Sequence, residues 1–128
     1  MNKLLTVLSL SAFSLVMYSY EAQAQQVNAF NGKWNVTWTG GNRNMSANLI
    51  LSDSGGTWKT IQKAMNNPCV GIEAPVQVES VNDVEINLVV KFSEALRGCA
   101  DATVLLKKID LNTLTGQRGN TEVTAKRE

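Results

Sequence analysis

The sequence contains no histidine, only two cysteines and only two prolines among its 128 residues. Without imidazole, neither a Ser-His-Asp nor a Cys-His arrangement can form, and a histidine-based zinc site cannot be built. Charge of either sign is thin and balanced, with 12 Lys and Arg against 11 Asp and Glu. A net charge of +1 gives no electrostatic basis for binding nucleic acid or an anionic membrane surface. Neither a Gly-rich phosphate loop nor a calcium-loop pattern occurs. The acids Asp53, Glu73, Glu79, Asp83, Glu85, Glu94, Asp101 and Asp110 are scattered. Nothing in their spacing pairs two of them for glycoside hydrolysis. A non-catalytic protein is therefore expected, with no metal and no cofactor.

Long apolar runs are missing as well. Leu4 to Tyr18 is apolar apart from small hydroxyl residues, but a bilayer span needs about 20 apolar residues. With Lys3 before it and Ala22-Gln23-Ala24 after it, this stretch reads as a cleavable export signal. No cysteine follows it closely, so no lipid anchor or other stable membrane anchor is expected. Residues 1–24 are thus predicted to be a signal, and residues 25–128 a single domain in the periplasm or outside the cell. The predicted mature chain has 128 − 24 = 104 residues, and losing Lys3 and Glu21 leaves its net charge at +1. That length supports one core of marginal stability. In an exported domain of this size an even pair of cysteines reads as a disulfide. Cys69 joined to Cys99 closes a loop of roughly 30 residues, which contributes about 3 to 4 kcal/mol.

What the mature part does contain is short alternation between turns, the pattern of an all-β domain. Gly32 to Thr39 sets Trp34, Val36 and Trp38 on one face, and Gly40-Gly41-Asn42 turns the chain. Ala47, Leu49 and Leu51 line a second strand that ends at Asp53-Ser54-Gly55-Gly56, and Thr57 to Ile61 forms a third around Trp58. After a loop from Gln62 to Pro68, Val70 to Val81 is extended. Pro75 within it cannot donate to a ladder and so predicts an edge or a bulge. Asn82-Asp83 is a candidate two-residue hairpin, followed by Val84, Ile86, Leu88, Val90 and Phe92 in strict alternation. Ser93 to Gly98 connects to Cys99, and its Ser93–Arg97 portion is the only competitor for a helical turn. Three more strands are predicted over Ala102–Ile109, Leu111–Gln117 and Glu122–Lys126. An eight-stranded antiparallel up-and-down barrel is the first expectation and a β-sandwich the alternative.

The triplet Gly32-Lys33-Trp34 resembles the Gly-x-Trp that opens the first strand of the calycins, the lipocalins and avidins. Lys91-Phe92-Ser93-Glu94 is similar to a stretch late in the avidins. This resemblance implies a calycin-like barrel. It does not imply biotin binding, since Val90 stands where biotin binders carry a tryptophan and none follows Trp58. A second, smaller resemblance lies in Gly56-Thr57-Trp58-Lys59, which is similar to a segment of bacterial periplasmic metalloprotease inhibitors. These too are small barrels with a signal, a Gly-x-Trp opening and one disulfide, although theirs closes an earlier part of the barrel. That likeness implies binding to a protease through loops or the N-terminal arm Gln25–Asn31.

Trp34, Trp38 and Trp58 are the candidate ligand-contact residues. Lining a barrel mouth, they would stack on a flat ligand. The plainer expectation is that they fill the core, as inward aromatic side chains of small barrels do. The loop Lys63–Pro68, pinned beside Cys69, is a candidate rigid contact loop. The pairs Lys107-Lys108 and Lys126-Arg127 read as solvated surface. The chain is thus expected to bind either a small apolar molecule or another protein, with protease inhibition as the alternative.

Overall fold

The computed structural model of the chain describes residues 28–61 and 66–128. The predicted signal, its cleavage site and the arm through Val27 lie outside the described residues, as do position 62 and positions 63–65 of the predicted contact loop. The described residues form β1 (Gly32–Gly40), β2 (Arg43–Ser52), β3 (Gly55–Thr60), β4 (Glu73–Val81), β5 (Glu85–Val90), a helical turn α1 (Phe92–Ala95), β6 (Ala102–Asp110), β7 (Thr113–Arg118) and β8 (Thr121–Arg127). Each strand pairs antiparallel with the next, and β8 returns to pair with β1 from Trp34↔Arg127 to Trp38↔Val123. That closing ladder makes the sheet an up-and-down barrel, not a sandwich.

Alternation fills the interior. Trp34, Val36 and Trp38 of β1, Ala47, Leu49 and Leu51 of β2, and Ile86, Leu88 and Val90 of β5 are all buried. The intervening Lys33, Asn35, Thr37 and Thr39 are exposed. Each large side chain buried this way is worth about 1.5 to 3 kcal/mol. Two inward positions hold glycine because the backbone has no room for more. A Cβ at Gly116 would run into the Leu105 carbonyl, and one at Gly56 into the Ile50 carbonyl.

The predicted strand Val84–Phe92 is shorter at both ends. Val84 lies in the β4–β5 turn and is 61% exposed, because Asn82 Oδ1 accepts the backbone N–H groups of Val84 and Glu85. Those bonds hold an Asx-type turn and divert the Val84 N–H from the ladder, while the Val84 carbonyl still accepts the Lys108 N–H of β6 at 2.8 Å. At the far end Phe92 begins α1, one residue earlier than the predicted turn, and its ring is buried.

Pro75 marks neither an edge nor a bulge; the bulge of β4 falls between Val78 and Ser80. Pro75 sits in the ladder opposite Thr57, and its carbonyl accepts the Lys91 N–H at 2.8 Å. With no N–H it cannot return the second bond of that pair. The Lys91 carbonyl instead accepts the Glu94 N–H at 3.1 Å. The proline therefore stops the β4–β5 ladder where α1 begins.

The connections fall at two ends. The β2–β3, β4–β5 and β6–β7 turns share one end with Phe30 and the beginning of β1. The β1–β2 and β7–β8 turns, the β3–β4 connection and the segment with α1 share the other. Cys69 and Cys99 are disulfide-bonded there, with Cα atoms 5.7 Å apart, as the cysteine count predicts. The bond ties the β3–β4 connection to the one between β5 and β6.

Candidate functional site

The first end is shut by its own chain. Phe30, 1% exposed, plugs the barrel, and its carbonyl accepts the Trp34 Nε1–H at 2.8 Å. The guanidinium of Arg127 lies 4.2 Å from the centre of the Trp34 ring. Its three nitrogens all find acceptors. Nε donates to the Leu111 carbonyl at 3.0 Å, Nη1 to Asn31 at 2.7 Å and Nη2 to Ala29 at 2.8 Å. Arg127 is thus an internal clasp, contrary to the solvated surface that its sequence neighbourhood suggests. Trp34 is sealed beneath it.

The opposite end is open. A cleft of about 440 Å³ lies between the β1–β2 turn, the disulfide-bonded connections and the end of β7. Trp38, Met45 and Phe92 give it apolar walls, and Thr60 and the Cys69 side of the disulfide border it. Trp38 packs on Trp58 with ring centres 5.8 Å apart and planes inclined by 36°. Trp58 lies deeper, fully buried, and donates its Nε1–H to the buried Thr60 hydroxyl at 3.0 Å. Of the three candidate tryptophans, Trp38 alone borders the cleft; Trp58 backs it from within the core and Trp34 belongs to the shut end.

Arg118 stands over this wall, with its guanidinium carbon 5.4 Å from the Trp38 ring centre and 6.0 Å from that of Phe92. Its Nε is buried and has no hydrogen-bond partner among the described residues. Burial pulls its affinity for the proton below that of a free arginine, although an arginine stays charged in any case. Arg43, on the first residue of β2, also lines the cleft. Neither arginine signals itself by composition. Arg118 follows Leu114 and Gly116 at inward spacing along β7, and that parity places it in the mouth.

Near the rim, Asp101 accepts the Ser93 N–H at 2.9 Å and the Ser93 hydroxyl at 2.7 Å, and pairs with Lys91 at 3.5 Å. The Ser93 bonds first, and Lys91 after them, hold its carboxyl below the usual aspartate range. These bonds anchor α1 and leave Asp101 occupied. No group of three Cys, Asp or Glu among the described residues could hold a metal ion.

Fold and site together define an all-β, disulfide-bonded, closed eight-stranded barrel with a packed interior and, among the described residues, a cleft beside Trp38 at the end opposite Phe30. This architecture is compatible with a calycin-like barrel. No family model, curated protein or solved structure matches the chain.

Proposed function

We propose that the protein is an exported, non-catalytic binding protein of calycin-like type whose recognition site is the cleft at the open end. One observation carries this reading: the interior is filled by Trp34, Trp58 and the aliphatic rows, so the barrel's aromatic surface meets a ligand at the rim, where Trp38 and Phe92 line a cleft. There Trp38 and Phe92 offer aromatic surface beside polar donors, the mixture typical of small-ligand sites. The disulfide supports it, since it fixes the two connections that border the cleft and suits an oxidising compartment outside the cytoplasm. No helix among the described residues is long and apolar enough to cross a membrane.

The test is native mass spectrometry of the protein purified from its producing cells. A bound small mass, lost when Trp38 is replaced by Ala, is the expected result. A bare chain, or a co-purified second protein, counts against a small-ligand cleft. The filled core also favours a second reading, inhibition of a protease through the loops. Co-purification with a protease would select it.

A further inference from the structure

Both ends of the barrel carry the same motif, an arginine laid over a tryptophan of β1, and the two differ in one respect. At the shut end Arg127 is satisfied, each of its nitrogens donating to a backbone carbonyl. At the open end no described residue accepts a hydrogen bond from the guanidinium of Arg118, and its buried Nε is orphaned. Most buried polar groups find partners, and leaving one unpaired is costly, more so when it is charged. Shielding Trp38 from water does not require that cost, since an apolar side chain would do it.

Two further donors face the same space. The indole nitrogen of Trp38 lies 3.7 Å from where a Cβ would stand at Gly40, on the rim of the cleft. It too donates to no described residue. Arg43 adds a second positive charge to the lining. No aspartate or glutamate among the described residues lines the cleft, and the nearby Asp101 is already held by Ser93 and Lys91. A cleft with two guanidinium groups, an aromatic wall and no carboxylate of its own lacks one component, an anion.

The geometry points to a small amphipathic carboxylate as the ligand of this cleft, its acid group taken by Arg118 and its apolar body lying along Trp38, Met45 and Phe92. Arg43 and the Trp38 N–H would share the acid group. This inference rests on the rim-cleft reading above and names the chemistry that fills it. Bidentate pairing between a planar guanidinium and a carboxylate gives direction as well as attraction. The aromatic wall then selects a carboxylate with an apolar body over a small hydrophilic one.

The test compares 2-naphthoate with neutral 2-naphthamide, titrated into the protein by calorimetry and by quenching of tryptophan fluorescence. Naphthoate should saturate the protein at one site and bind at least tenfold more tightly than the amide. Replacing Arg118 by Met should remove that advantage, while replacing Lys59, on an outward position of β3, should not. If both probes bind equally, the anion inference fails and the rim cleft stands. If neither binds, both fail. The probe comparison uses the unaltered protein and so decides even if Arg118→Met does not fold.

Discussion

Arg127 holds one ring and three carbonyls at once. Replacing it with Met keeps an apolar stem over Trp34 and strands all three acceptors. The expected loss is about 2 to 3 kcal/mol, read from urea unfolding followed by tryptophan fluorescence. An unchanged midpoint would mean that Phe30 closes this end without help. Asp101 gives the pH dependence at this scale. Its folded carboxyl is held below the ordinary value, so its contribution is complete above about pH 4 and fades as pH falls through the folded value. Asp101→Asn should therefore lower the unfolding midpoint at pH 7, and the difference from the parent should shrink toward strongly acid pH. The tryptophans and cysteines were legible at this scale because their chemistry is rare in the chain. Arg118 and Arg127 were harder to see, since one arginine looks like another until the register is known. The usable signal was parity: Arg127 continues Val123 and Ala125 inward on β8, as Arg118 continues Leu114 and Gly116 on β7.

At the scale of the element, strand positions were readable, while several strand ends, those of β5 among them, were not. Period-two alternation reports which face a residue takes, and it placed the inner rows of β1, β2 and β5 correctly. Ends depend on local polar competition that alternation does not encode. Asn82 draws Val84 into a turn, and Pro75 releases the Lys91 carbonyl to α1. Gly116 is a sharper case, because an inward glycine in a strand looks like a weak spot in sequence. In the barrel it is a point where a Cβ on β7 would run into the Leu105 carbonyl of β6. Gly116→Ala should destabilise by about 1 to 3 kcal/mol through overpacking, measured by the same urea titration. A neutral result would show that β7 can move away from the Leu105 carbonyl.

At the scale of the whole molecule, oxidation state joins the fold. Reducing the Cys69–Cys99 bond should lower stability by about 3 to 4 kcal/mol, with a lower urea midpoint in reductant than without. The same midpoint in both would remove the bond from any account of stability. Eight short strands with tight turns predicted an all-β domain, yet barrel and sandwich share that pattern. The choice depended on whether the last strand meets the first, which is a long-range fact and leaves no local mark. Thr37 on β1 and Thr124 on β8 are in contact although 87 positions apart. The chain is made from its N-terminus, so β1 must wait with one side unpaired until the eighth strand arrives. Closure cannot precede the arrival of β8. A chain passed across a membrane with its N-terminus leading could therefore become a barrel only once β8 had reached the far side.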